Sequence, residues 1–122
     1  MRMGGGGGEE EGKDIKLDLV SEERMASMTS MEKIRFILDG VKLGNIVVLE
    51  GGLTPEEQMK LIEMTMSEID EDFAGIEIGS YPVRRGFLGL RRRTRLTIVG
   101  PANMMKTIKK DKDLIRAIIS RV

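Results

Sequence analysis

The strongest structural signal in the sequence is a helix start that follows a run of apolar residues. Residues 45–50 contain Ile, Val, Val and Leu in succession, a pattern typical of a central strand that is buried on both faces. Thr54, Pro55 and Glu57 then supply an N-cap, a proline at the first helical position and the glutamate of a capping box. The pattern predicts a strand followed by a helix that extends to about residue 72.

Apolar residues at helical spacing predict which face of each helix is buried. An earlier helix is expected after a second capping box, formed by Thr29 and Glu32. Its buried stripe is predicted to consist of Met31, Ile34, Leu38 and Val41. The stripe of the helix after Pro55 is predicted to consist of Met59, Ile62, Met66, Ile69 and Phe73. Because each helix has one stripe, both are expected to pack on the same face of a sheet.

Alternating apolar and polar residues predict three further strands, at residues 13–20, 75–81 and 94–99. Pro82 is expected to end the second of these three. Residues 83–93 are then expected to form a long glycine-containing loop, which makes the last two strands a hairpin. A last helical segment should follow Pro101 and break near Asp111.

The predicted order of elements, β-α-β-α-β-β-α, indicates the fold class. It predicts an α/β (α+β) two-layer sandwich on a four-stranded mixed sheet, with the last helix extending the helical layer. A single domain is expected over residues 13–122, which is long enough to bury a hydrophobic core. Residues 1–12 contain five consecutive glycines and three glutamates, and are expected to be a disordered tail because they have little to bury.

The composition argues against most catalytic classes. The chain has no cysteine and no histidine, so it lacks the commonest metal ligand, the commonest general base and any disulfide. It also lacks a nucleophile elbow, a Walker loop and a zinc motif. We therefore expect no enzyme, no metal and no cofactor, with a metal-dependent enzyme on the acidic second helix as a remote alternative. No apolar run approaches the length of a membrane span, and a cytoplasmic protein is expected.

The charges are divided unequally between the two parts of the chain. Residues 1–77 carry 8 Lys and Arg against 18 Asp and Glu, a net charge of −10, whereas residues 78–122 carry 12 against 2, a net charge of +10. Such asymmetry indicates an anionic partner. The residues predicted to contact nucleic acid are Arg84, Arg85, Phe87, Arg91, Arg92, Arg93, Arg95, Lys106, Lys109 and Lys110.

These residue types favour contact with a phosphate backbone. Arginine binds phosphate through two hydrogen bonds and keeps its charge near neutral pH, and an apolar Phe87 near the hairpin tip suits stacking on a base. Because aromatic residues are few, we expect recognition of backbone and shape, with RNA favoured over DNA. The alternative is a non-enzymatic interaction module that binds an acidic partner, such as a GTPase, or that self-associates. Met64, which lies off the predicted stripe of its helix, is the residue expected at a homodimer contact.

The sequence shows two resemblances to known families, and the first of them supports nucleic-acid binding. The order of elements, with an arginine-rich connection from Arg84 to Arg95, is similar to that of Alba-like chromatin and RNA-binding proteins, and to the C-terminal domain of bacterial translation initiation factor three. This resemblance implies nucleic-acid contact through the late hairpin. The stretches KDIKLDLVSEERM and RRRTRLTIVGPANMMKTIKKD resemble an uncharacterised archaeal family of unknown function. That resemblance implies an archaeal cytoplasmic protein, with an Era-like GTPase as a candidate partner.

Overall fold

The computed structural model describes residues 15–87 and 90–121, and all their side chains except those of residues 84–87 and 90–93. The predicted tail, residues 1–12, lies outside the described residues. The elements are, in chain order, β1 Leu17–Val20, α1 Glu22–Ala26, α2 Ser30–Lys42, β2 Ile46–Glu50, α3 Pro55–Ser67, β3 Ile76–Phe87, β4 Leu90–Pro101, α4 Ala102–Lys110 and α5 Lys112–Ser120. No helix of the described part of the chain is long and apolar enough to cross a membrane.

The strands form a four-stranded mixed sheet in the order β1-β2-β4-β3. β1 and β2 are parallel, β2 and β4 are antiparallel, and β4 and β3 form an antiparallel hairpin. The parallel pair requires a crossover connection, which α1 and α2 provide. The predicted α/β class with a four-stranded mixed sheet is confirmed.

Both predicted capping boxes are present. The Thr29 hydroxyl accepts the Glu32 N–H at 3.1 Å, and the Glu32 carboxylate accepts the Thr29 N–H at 2.8 Å. Thr54 and Glu57 make the same reciprocal pair at 3.0 Å in both directions. After the C-terminus of α2, Gly44 has a φ of +96°, a conformation that glycine adopts without the steric penalty of a Cβ atom.

Helices cover both faces of the sheet. Successive residues of β2 point to opposite faces, and Val47 and Leu49 join one apolar cluster while Ile46 and Val48 join another. The first cluster contains buried residues of α1, α2 and α3, and the second contains buried residues of α4 and α5. The last helical segment therefore does not extend the layer of α2 and α3, as the sequence suggested, but packs on the opposite face.

The prediction of a hairpin loop at residues 83–93 is wrong. Pro82 does not end β3, which continues to Phe87, and β4 begins at Leu90. In the described sheet β3 has β4 as its one neighbour, and a strand with a single neighbour tolerates a residue that lacks an N–H. Two long strands therefore replace the two short strands and the loop.

The predicted buried stripe of α3 is also wrong, apart from Phe73. The side chains that the sequence placed in the core are exposed, whereas Glu57, Leu61 and Thr65 are buried. These three residues recur at intervals of four and so share one face of the helix. Glu57 is held by Lys33 and by the Ser30 hydroxyl, and these contacts set the rotation of α3 about its axis. The exposed members of the predicted stripe are Met59, Ile62, Met66 and Ile69.

Candidate nucleic-acid interface

The predicted arginines lie in a continuous two-stranded hairpin. The pairing of β2 with β4 ends at Leu96, and the described pairing beyond it joins β3 to β4 alone. The register places Arg84 opposite Arg93 and Arg85 opposite Arg92. From Val83 and Thr94 to the strand ends, this part of the hairpin spans roughly 15 Å at the usual rise per residue. The side chains of Arg84, Arg85, Phe87, Arg91, Arg92 and Arg93 lie outside the described residues.

The base of the hairpin is anchored to the body by apolar contacts. Tyr81 and Val83 are half-buried and pack with the cluster that contains buried residues of α4. The Tyr81 ring lies over Gly79, where the Cβ atom of any other residue would be 2.8 Å from a ring carbon. A side chain at this position would displace the ring, since carbon atoms pack at about 3.5–4.0 Å. The hairpin therefore leaves the body from a packed base.

Arg95 lies on the face of the sheet that α1–α3 cover. It alternates with Leu96, whose side chain belongs to the cluster of the other face. The Arg95 side chain is exposed, and its Nε donates a 2.8 Å hydrogen bond to the Ser80 hydroxyl. Ser80 orients the guanidinium and carries no charge, so the positive charge of Arg95 is not neutralised by this contact. Nothing in the sequence pattern pointed to Ser80, because its contact joins two strands across 15 residues of chain.

The three predicted lysines lie on α4, which packs against the opposite face. Met105 and Ile108 are buried in the core, and Lys106, Lys109 and Lys110 project from the rest of the helix. Lys109 pairs with Glu77 on β3 at 3.2 Å, so its charge is partly compensated. Lys106 and Lys110 are exposed. Arg95 and the three lysines thus lie on opposite faces of the sheet and do not form one flat surface.

Glu68, which follows α3, makes ion pairs with two basic residues of α2. The Glu68 carboxylate accepts hydrogen bonds from Arg35 at 2.9 Å and from Lys42 at 2.8 Å. Bonds from Arg35 and Lys42 lower the pKa of Glu68 to about 2, and Glu68 and Asp39 raise the pKa of Arg35. The described residues contain no cluster of three or more carboxylates that could hold a metal ion.

A buried carboxylate, that of Glu57, links the starts of α2 and α3. Burial raises the pKa of Glu57, but hydrogen bonds from Lys33, the Ser30 hydroxyl and the Thr54 N–H outweigh that effect and lower the pKa to about 2. The Lys33 ammonium lies 2.8 Å from the Glu57 carboxylate. Glu57 is therefore ionised at neutral pH, with its charge paired, which suits a structural contact better than proton transfer.

An open cavity of about 150 Å³ lies between β1 and α5. Apolar side chains and one arginine line it: Ile15, Leu17, Leu114, Ala117, Ile118 and Arg121. A cavity with this lining provides no pair of groups for general acid–base chemistry. The hairpin and its base remain the candidate site.

A comparison with protein-family models identifies the family of this chain. A family model described as origin-associated protein OapB matches residues 25–120, which include the helical layer, the hairpin and the last two helices. The chain belongs to the OapB family. No curated protein and no solved structure matches the chain. Membership in the OapB family therefore rests on the match of the family model to residues 25–120.

Proposed function

We propose that this OapB-family protein binds nucleic acid through the hairpin formed by β3 and β4. RNA is the favoured ligand, and contacts to the phosphate backbone provide most of the affinity. The hairpin arginines bind phosphate, Arg95 extends their surface on one face of the sheet, and Lys106 and Lys110 extend it on the other. No catalytic step is part of this function.

The register of the hairpin is the observation that carries the proposal. Arg84 is opposite Arg93, and Arg85 is opposite Arg92. Like charges at directly opposite positions destabilise an antiparallel ladder. A sequence that places four arginines in this way gives up stability locally, and such violations of local preference are expected at functional sites. A polyanion that neutralises these charges would offset the cost.

The shape of the hairpin supports the same function. It continues beyond the body as two strands, and its base packs with the apolar cluster that contains buried residues of α4 and α5. A two-stranded ribbon fits the major groove of B-form DNA, whereas the major groove of A-form RNA is too narrow for side chains to read. On RNA we therefore expect the hairpin to contact the phosphates and the wide minor groove or an unpaired segment. Phe87 near the hairpin tip is proposed to stack on an unpaired base.

The family description provides a reason to include DNA in the test. The family model that matches this chain is described as origin-associated, and those words apply to the family. The similarity to Alba-like proteins, an archaeal source, the cytoplasmic location, the homodimer and the GTPase partner stay predictions. The proposal depends on none of them, since it rests on the charge and register of the hairpin.

The test is a gel-shift titration of single-stranded RNA, double-stranded RNA and double-stranded DNA with the full chain. We expect binding at low salt that weakens strongly near 0.3 M salt, because each phosphate contact contributes about 0.7–0.9 to the slope of log affinity against log salt. Replacing Arg91, Arg92 and Arg93 with alanine should weaken binding at least about tenfold and reduce that slope by about 2.

A matched control removes the same charge elsewhere. Lys112, Arg116 and Arg121 are exposed on α5 and at its C-terminus, and their replacement by alanine should leave most of the affinity intact. The proposal fails if the hairpin variant binds like the wild type, or if both triple variants lose affinity equally. Absence of wild-type binding at low salt would also reject it and would favour the interaction module with an acidic protein partner.

A further inference from the structure

The outer face of α3 carries an apolar stripe that the molecule does not cover. Met59 and Met66 are 65% and 68% exposed, and Ile62 and Ile69 are 46% and 50% exposed. Four such side chains expose on the order of 400 Å², which is within the range of the largest and often functional patch on a monomer. We call these four residues the α3 stripe.

The spacing of the α3 stripe matches that of a helix–helix seam. Three of its members, Met59, Ile62 and Met66, lie on α3 and are separated by three and four residues, which is the a/d spacing of knobs-into-holes packing. Ile69 follows just beyond the end of the helix at Ser67. The helix is already held to the body by a different face, formed by Glu57, Leu61 and Thr65. The α3 stripe is therefore additional to what folding of this domain requires, and its geometry suits a second helix.

Charged residues around the α3 stripe distinguish between possible partners. Lys60 is the one basic residue of α3, and its ammonium is 3.6 Å from the Glu63 carboxylate. The acidic residues outnumber it: Glu56, Glu63, Asp70, Glu71 and Asp72 are all exposed on α3 or just after it. A second copy docked through this face would bring two acidic rims together, which costs free energy, whereas a basic rim on the partner would be attracted.

We propose that the α3 stripe is the docking surface for an amphipathic helix of a partner protein whose apolar face is flanked by Lys or Arg. The partner helix lies along α3 and buries the stripe between the two helices. Flexible methionine side chains adapt to the shape of the incoming residues, and the acidic rim selects a basic partner and speeds the encounter. This inference goes beyond nucleic-acid binding and involves none of the hairpin residues.

The test uses a synthetic helical peptide with leucine at the a and d positions and lysine at the flanking positions. Its binding to the full chain is measured by fluorescence anisotropy. Replacing Ile62 and Met66 with glutamine should weaken binding at least about tenfold, because two apolar side chains at the centre of the interface are lost. Both residues are exposed, so circular dichroism and the melting temperature should stay close to those of the wild type.

Three controls make the result specific. Replacing Leu43 with glutamine removes another exposed apolar side chain, 81% exposed at the end of α2, and should leave peptide binding unchanged. A peptide with glutamate in place of lysine should bind at least about tenfold more weakly. The hairpin variant with Arg91, Arg92 and Arg93 replaced should bind the peptide like the wild type, which separates this surface from the nucleic-acid site.

Four results would overturn the inference. The first is equal peptide binding by the wild type and the variant with Ile62 and Met66 replaced. The second is equal affinity for the lysine and glutamate peptides. The third is a loss of peptide binding in the variant with Arg91, Arg92 and Arg93 replaced. The fourth is a wild-type dimer in sedimentation that the stripe variant converts to a monomer, since it would show that the occupant is a second copy of this chain.

Discussion

α2 and α3 are alike in their local signals and differ in how they pack. Each has 13 residues and begins with a complete capping box. In α2 the apolar stripe read from the sequence is buried, with the exception of Met31, which is 50% exposed. In α3 the corresponding stripe faces outward. Local chemistry therefore determines where each of these helices begins, whereas contacts between residues distant in sequence determine which face it buries.

Polar contacts at both ends of α3 add to the packing of Leu61 in orienting the helix. Glu57 bonds to Ser30 and Lys33 at the start of α2, and Glu68 bonds to Arg35 and Lys42 farther along it. Glu57 lies in the first turn of α3 and Glu68 directly follows its last residue, and both bond to α2. Ion pairs at both ends turn one side of α3 toward α2. The stripe, on another side, stays exposed.

The largest effect on stability is expected when a buried side chain of α3 is truncated, and an exposed side chain of the same helix provides the comparison. Leu61 is fully buried, so replacing it with alanine should lower the free energy of unfolding by about 3 kcal/mol. Replacing Met66 with alanine should change it by less than about 0.5 kcal/mol. Urea unfolding followed by circular dichroism measures both. An equal loss of unfolding free energy in the two variants would mean that the exposed stripe belongs to the core. α2 and α3 would then not differ in the face that they bury.

The second prediction concerns the buried carboxylate that orients α3. Replacing Glu57 with glutamine should destabilise the protein by about 2 kcal/mol at pH 7, because Lys33 loses its charged partner in a poorly solvated site. The folded-state pKa of Glu57 is about 2, below its ordinary value of 4.5. The stabilisation is therefore complete above about pH 4.5 and is lost as the pH falls toward 2. The difference between wild type and variant should shrink over this range.

Glu56 provides the control for that measurement. It lies in the same first turn of α3 but is exposed, so its replacement by glutamine should cost no more than about 0.5 kcal/mol, through the loss of a favourable interaction with the helix dipole. A stability difference for the Glu57 variant that stays constant from pH 7 to pH 2 would contradict the assignment of an ionised, paired Glu57.

Much of the fold was predictable because its signals are local. The capping boxes, the strand at 46–50 and the break at Asp111 depend on residues close in sequence, and all are present. The break forms because the Asp111 side chain accepts the Leu114 N–H and caps α5. The rotation of α3 was not predictable, because Glu57 meets Lys33 across 24 residues of chain and neither residue signals the other.

The candidate site was predictable in composition and less so in shape. The concentration of arginine between residues 84 and 95 is evident in the sequence, but Pro82 concealed the continuity of β3. Whether a proline ends a strand depends on whether that strand has a neighbour on both sides, which is a property of the whole sheet. The position of α4 is likewise a property of the whole sheet. α2 and α3 cover the face of the sheet that carries Arg95, and α4 with its lysines packs on the opposite face.

The smallest effect on stability is expected from a substitution at the solvent-exposed end of the contact between α2 and α3. Arg35 bonds to Asp39 in its own helix and to Glu68 just beyond α3, and its side chain is 40% exposed. Replacing Arg35 with lysine keeps the charge but removes the planar fork that reaches both carboxylates. We expect a loss of about 0.5 kcal/mol that decreases in 1 M salt, since solvent-exposed pairs are weak and screened.

Arg116 is the matched control for the Arg35 variant, since it also pairs with an aspartate on its own helix and contacts it at 3.4 Å with both side chains largely exposed. Its replacement by lysine should change the free energy of unfolding by less than the error of a urea titration. If the two variants are indistinguishable, the end of α3 is not held by Arg35, and the orientation of the helix depends on Glu57 and on the packing of Leu61. If the Arg35 variant instead loses several kcal/mol, the network at Glu68 is as strong as the buried pair at Glu57, and both ends of α3 contribute equally to keeping its apolar stripe exposed.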